Sequence, residues 1–313
     1  MILRPALIAS ILVTPALAQP PRVAADTPIV QSLAAQVLGD LGTPDLLLDR
    51  GADPHHAQLR PSQARALSRA DLVLWSGEGM TPWLERPLAT LADGTVLDLD
   101  QVAGLRLQPF QPSPLLDMSD PDTDEADHDH DYDHEGHHHE GTDPHVWLDP
   151  QNAIAWLDAI AARLAALDPA NAATYRANAD AAAQGIRALR DEIAATLAPA
   201  SGTGLVMSHD AYGYFATAFP LTVLGTISLG DASDPGAARL ARLRAALAEA
   251  GPACLFPESN HPARYVALIA EGTALRIGAP LDPAGTTLDP GPDLYAQTLR
   301  ALARAIADCA EAP

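Results

Sequence analysis

DLLLDRGADPHHAQLRPSQARALSRADLVLW, residues 45–75, decides the fold. DLLLD reads as a short strand and GADPHHAQLRP as a loop with Gly, Pro and two histidines. Ser62 opens the helix SQARALSRA, and DLVLW is a buried strand. A strand, a crossover helix and a second strand form the unit from which parallel sheets are built. The pattern extends in both directions. Before it, RVAAD reads as a strand. Pro28 to Gly39 reads as a helix with Val30, Leu33, Ala34, Val37 and Leu38 on one side and Gly39 as its stop. After it come the turn SGEGM, a helix over Thr81–Leu91 and the strand TVLDL.

The second half repeats the alternation without repeating the sequence. GLVM, LTVLG, CLF and LRIG read as strands, with helices over Pro235–Ala250, Pro262–Glu271 and Asp293–Cys309. Between the halves lie the amphipathic stretch QNAIAWLDAIAARLAAL, the punctuation Asp168-Pro169, and an Ala-rich run from Ala170 to Ala198. Tyr175, Ile186, Leu189, Ile193 and Leu197 recur at helical spacing in that run, which would span about 40 Å as a helix. The expected architecture is α/β: two lobes with central parallel sheets, joined by one long rigid helix. The boundaries read as a signal segment over 1–18, a first lobe over 19–168, a linker helix over 169–198 and a second lobe over 199–313.

The length of 313 residues suits two cores. A formal net charge of −21 argues against nucleic acid, because an acidic chain repels phosphate. The N-terminus, MILRPALIASILVTPALAQP, has one Arg before an apolar run that ends in Ala16-Leu17-Ala18. That is the pattern of a secretory signal cut after Ala18, and it implies an exported, oxidising compartment. Cys254 and Cys309 are the only cysteines. One disulfide between them is the economical reading, and two buried thiols the alternative. The bond would close a loop of roughly 55 residues and stabilise by about 4 kcal/mol in the chain-entropy model.

Residues 117–150 read DMSDPDTDEADHDHDYDHEGHHHEGTDPHVWLDP. His128, His130, His134, His137, His138 and His139 alternate with carboxylates in a tract with no helix or strand period, so a solvated loop over about 108–143 is expected. Imidazole and carboxylate are ligands that borderline metals prefer, which makes the tract an accessory metal-binding loop. Four polar positions fall where α/β folds collect ligands, beyond strand ends or before helices. His55 follows DLLLD, His209 follows GLVM, Asp282 follows LRIG, and His145 precedes the helix that starts near Pro150. Two sheets facing each other would bring these into an inter-lobe cleft. Three imidazoles with one carboxylate or a water suit Zn²⁺. Asp143, Asp149 or Asp210 could hold the second ring nitrogens.

GADPHHAQLRPSQARALSRADLVLWSG, DPHVWLDP, SHDAYGYF and LRIGAPLDPAGT together resemble the motifs of periplasmic metal-binding proteins of ABC importers. The zinc-specific (ZnuA-type) branch of the metal-binding cluster A-I family is the nearest match. The resemblance covers the chain beyond residue 18. It implies two α/β lobes on one long helix, with the metal in the cleft and with His55, His145 and His209 as ligands. The manganese branch tends to have Glu in place of the third histidine, so His209 favours zinc. The family's acidic position falls on Asp282, a candidate fourth ligand. The branch's acidic, histidine-rich insertion and its paired cysteines fall on the loop before Asp143 and on Cys254 and Cys309. Pro54 replaces the Glu that some members carry before the first ligand, so the fourth position goes to water or Asp282. His56 is a rival to His55. The implied role is a non-enzymatic carrier that hands Zn²⁺ to an ABC-type permease, as a monomer, with periplasmic metallochaperones as further partners.

Two motif matches fail on context. HEGHH at 134–138 fits HExxH, but Gly136 and the acidic surroundings oppose the helix that motif needs. DHDHDYDHEG has Tyr132 where a calcium loop needs Gly. Competing functions are a manganese or other divalent-metal carrier, a zinc buffer working through the loop, and a hydrolase using an open three-histidine zinc site.

Overall fold

The structure, a computed structural model, is described over residues 19–110, 115, 141–228, 235–251, 253–260 and 264–312. The signal segment and the six histidines from His128 to His139 lie outside the described residues. Four strands form the first sheet: β1 (Val23–Ala25), β2 (Asp45–Leu46), β3 (Leu72–Trp75) and β4 (Thr95–Asp98), in the order β2-β1-β3-β4. Every pairing is parallel. The crossovers are α1 (Pro28–Leu38), α2 (Pro61–Arg69) and α3 (Glu85–Leu91). Thr27 caps α1 by accepting from the Val30 amide, and Pro28 occupies the first turn, where no intrahelical N–H is needed. DLLLD supplies only two residues of regular strand, because the chain bends into the histidine loop after Leu47 donates to the Ala25 carbonyl. The helix expected over Thr81–Leu91 starts as a 3-10 turn at Pro82–Leu84, since the Thr81 hydroxyl is engaged elsewhere.

The connection between lobes is α4 (Pro150–Leu167), a one-turn 3-10 segment at Pro169–Asn171, and α5 (Ala172–Leu197). Asp168 holds the corner by accepting from Asn171 Nδ2 and the Tyr175 hydroxyl. At 26 residues α5 spans about 39 Å. Its buried stripe, Tyr175, Ala179, Ala183, Ile186, Leu189, Ile193 and Leu197, includes all five positions read from the sequence. That stripe packs on α4, α1 and the last helix, α9 (Leu294–Glu311), so α5 braces both lobes.

The second sheet repeats the first. β5 (Gly204–Met207), β6 (Thr222–Thr226), β7 (Ala253–Leu255) and β8 (Arg276–Ile277) run parallel in the order β6-β5-β7-β8. Its helices before α9 are α6 (Gly213–Ala218), α7 (Ala237–Ala250) and α8 (Arg264–Ala270). The short α6 begins within the stretch SHDAYGYF and runs on to Ala218, and the sequence pattern does not announce it. Six residues with two glycine-flanked aromatics carry too little periodicity to register. Cys254 in β7 is disulfide-bonded to Cys309 in α9.

One apolar cluster runs through both lobes, from Ile29 and Trp156 to Phe215, Phe256 and Ile306. Smaller clusters cover the outer faces of the two sheets. The lobes therefore share a core along the back of the cleft, and separating them there would expose apolar surface. Among the described residues, no helix is long and apolar enough to cross a membrane.

The ends of the acidic tract are more ordered than its composition suggests. Pro109 and Thr142 form an antiparallel bridge, and the Asp143 amide donates to the Gln108 carbonyl. Gln108 also reaches the second lobe, donating its amide to the Tyr214 hydroxyl and accepting from Thr217.

Candidate metal centre

Each sheet delivers its polar residues at the carboxyl ends of its strands, where backbone groups diverge and leave room for ligands. His55 lies in the loop after β2, His209 follows β5, and His145 sits just before the 3-10 turn that leads into α4. The three rings converge across the cleft. Their centroids are 5.4 Å (His55–His145), 6.3 Å (His55–His209) and 5.3 Å (His145–His209) apart, all edge to face. One nitrogen from each ring falls within 4.8 Å of the other two. Three Zn–N bonds of ~2.0–2.1 Å at tetrahedral angles would need nitrogens about 3.3 Å apart, so small ring rotations close the set. His56 lies outside it. Its ring is largely exposed and pairs with Asp53 at 2.8 Å.

The rings are held unequally. His145 and His209 are buried, at 1% and 3% exposure. Asp143, itself fully buried, accepts from the His145 amide at 2.9 Å and lies 2.8 Å from its Nδ1. Glu258 stands 2.7 Å from Nδ1 of His209 and accepts from the Tyr212 hydroxyl at 3.0 Å. Burial and the Glu258 charge push the Tyr212 phenol well above its ordinary pKa, so it stays a donor. A carboxylate at Nδ1 fixes the tautomer that presents Nε2 to a metal and raises its basicity.

The two buried carboxylates together carry the charge that a dication would neutralise, without occupying its coordination sphere. His55 is partly exposed, and its neighbour Asp53 accepts from the His55 amide at 2.9 Å as well as facing His56. Burial, then the nearby His145 and His209 rings, hold the His55 imidazole well below its usual pKa. It is neutral at pH 7, the form that binds metal.

Of the three acids considered as outer partners, Asp143 serves His145. Asp149 instead caps α4 through the Gln151 amide, and Asp210 acts electrostatically on Arg239. Glu258 was missed in the sequence. It stands in FPESN just after β7, but a strand-end position alone does not mark it as the partner of His209. Asp282 lines the cavity, but its two oxygens accept from the amides of Thr286 (3.1 Å) and Thr287 (2.8 Å) and from the Thr287 hydroxyl (2.6 Å). It is not among the side chains whose donor atoms converge.

The three rings line one cleft cavity together with Asp53, Met80, Glu258 and Asp282.

Comparison with known proteins places these features in a group. A family model described as "Zinc-uptake complex component A periplasmic" matches residues 23–309. The high-affinity zinc uptake system protein ZnuA of Paracoccus denitrificans is 47% identical over 304 residues, 94% of this chain and 93% of that protein. The protein of the same name in Brucella abortus is 33% identical over 301 residues, 90% of this chain and 89% of that protein. Among solved structures, the SBP FpvC of Pseudomonas aeruginosa in complex with Mn²⁺ shares the fold. It superposes with a TM-score of 0.75 at 22% identity, covering 93% of this chain and 99% of that one.

Proposed function

This chain belongs to the family of periplasmic zinc-uptake complex component A, and we propose from that premise that it captures Zn²⁺ and delivers it to an ABC-type permease without catalysing a reaction. His55, His145 and His209 are the ligands in this reading, with water as the fourth. The carrying observation is the convergence of three imidazoles in the cleft, one nitrogen of each within 4.8 Å of the others, with two of the rings backed by buried carboxylates. An all-nitrogen set suits zinc, whereas manganese prefers oxygen donors.

The finer parts of the reading follow from the same premise. The chain acts in the periplasm after cleavage following Ala18, with 19–168 and 199–313 as lobes and 169–198 as connector. It works as a monomer, receives metal from the histidine-rich loop or a metallochaperone, and docks on the permease's transmembrane subunit. Competitive chelator titration should give one tight zinc per chain. His145→Ala should weaken that site by roughly a thousandfold, about 4 kcal/mol. Stoichiometric tight binding that survives His145→Ala, or ester or peptide turnover by the zinc form that this substitution removes, would overturn the carrier reading.

A further inference from the structure

We propose that Asp282 serves zinc binding as a positioning residue: it shapes a strap from the second lobe that grips the His55 loop of the first. The inference rests on the three-histidine reading above and adds to it the device that sets how long the metal stays.

The strap begins with how Asp282 is occupied. Its carboxylate gathers the amides of Thr286 and Thr287 and the Thr287 hydroxyl, folding residues 282–287 into a tight loop. Gly285 turns that loop at φ +65°, and a Cβ there would lie 2.6 Å from the Thr298 hydroxyl, so only glycine fits. Asn260 adds a hydrogen bond to the Thr286 hydroxyl at 2.9 Å. The result is a rigid loop whose carbonyls face the other lobe. The Gly51 amide donates to the Thr286 carbonyl at 2.9 Å, and Arg50 Nη2 donates to the Thr287 carbonyl at 2.7 Å. Arg50 Nη1 also pairs with Asp289.

The gripped segment is the one that carries His55. Two residues beyond Gly51, Asp53 accepts the His55 amide, and the Pro54 carbonyl accepts from Trp83 Nε1 at 2.6 Å. His145 and His209 are locked by buried carboxylates on their own lobes, whereas His55 sits on a bent, partly exposed loop. The shared core closes the back of the cleft, whereas the strap joins the lobes by hydrogen bonds at its mouth. A strap there couples closing the lobes to placing the third ligand. The Arg50–Asp289 pair is exposed, at 60% and 87%, and a docking partner could reach it.

The test is the rate of zinc release from the loaded protein into excess chelator, followed by stopped flow. Arg50→Ala and Asp282→Ala should each speed release by roughly five- to tenfold. The double variant should be no faster than Asp282→Ala alone, because both changes break one device. The absorption spectrum of the Co²⁺-loaded protein should be unchanged in Asp282→Ala, since no ligand is removed. An altered Co²⁺ spectrum in Asp282→Ala with Arg50→Ala releasing at the wild-type rate would make Asp282 a ligand and overturn the strap. Additive effects of the two changes would overturn it as well. Arg50 is exposed, so its variant stays informative if Asp282→Ala folds poorly. Wild-type protein that fails to bind one zinc would sink the carrier reading itself. Tight binding with unchanged release in Arg50→Ala would sink the strap alone.

Discussion

The two sheets have the same topology, and each places an acid where its strand order reverses. In the first lobe the acid is Asp26, at the end of β1. Its buried carboxylate accepts from the Ser76 amide at 2.7 Å, the Ser76 hydroxyl and the Thr81 hydroxyl at 3.0 Å, and Thr81 in turn accepts from Trp75 Nε1. In the second lobe the acid is Glu258, at the end of β7, facing His209 at the end of β5. The first network ends within its own lobe: both hydroxyls and the amide donate to one oxygen, Oδ2, and steady the 77–81 turn that brings Met80 to the site. The second is open, because His209 also offers a nitrogen to the three-ring cluster. One architecture thus yields a structural acid in one lobe and a metal-tuning acid in the other. The difference lies in whether the acid's partner has a second atom to give.

The largest expected effect separates the two acids by metal affinity. Glu258→Gln keeps an acceptor beside His209 Nδ1 but removes the charge that offsets a dication. Zinc affinity should fall about 10–100-fold, with Asp143→Asn behaving alike. Asp26→Asn should change it less than about threefold, since Asp26 touches no ligand. Equal losses from Glu258→Gln and Asp26→Asn in competitive titration would erase the distinction.

A second contrast is in stability against pH. Burial raises the Asp26 pKa above its unfolded value near 3.9, with the Ser76 and Thr81 hydrogen bonds opposing. Between those two values the native state holds the proton more tightly than the unfolded chain, so this group's contribution to stability falls as pH rises. Asp26→Asn cannot ionise. Its stability relative to wild type should therefore improve from pH 4.5 to pH 7, measured by urea unfolding of metal-free protein. His55 works in the other direction: with its pKa depressed, the unfolded chain takes the proton first, and metal-free stability declines as pH falls below about 6.5. A stability of Asp26→Asn that declines relative to wild type toward neutral pH would mean that the hydrogen bonds outweigh burial.

Much of this was legible in the sequence because it depends on periodicity and on strand ends. The alternation of strands and helices, the stripe on α5 and the placement of His55, His145 and His209 after strands or before a helix all follow from local pattern. Glu258 and the strap were not visible for a physical reason. A single Glu after a three-residue strand reads like any surface acid until β5 pairs with β7 and sets it beside His209. Arg50 and Thr287 lie 237 residues apart, and no local pattern announces a contact that only lobe packing creates. The sequence has six histidines between His128 and His139 against the three that converge, and number alone does not make a centre, because a buried site must satisfy every group it contains.

The smallest expected effect tests that last distinction. Deleting Asp120–Glu140 removes all six histidines of the tract but none of the residues that close its neck. The Pro109–Thr142 bridge, the Asp143 amide on the Gln108 carbonyl and the Gln108 contacts to Tyr214 and Thr217 are all retained. Asp143 is both part of that neck and the partner of His145, so the neck is what carries order from the loop's base into the site. Affinity at the tight site should stay within about threefold of wild type, because no ligand or outer carboxylate is touched. What should fall is the number of weaker zinc ions bound per chain and the rate of loading at low free zinc. A deletion that abolishes tight binding would shift the function to the tract and leave the convergent histidines without a purpose. A loading rate that does not change would remove any gathering role from the tract while leaving the centre intact.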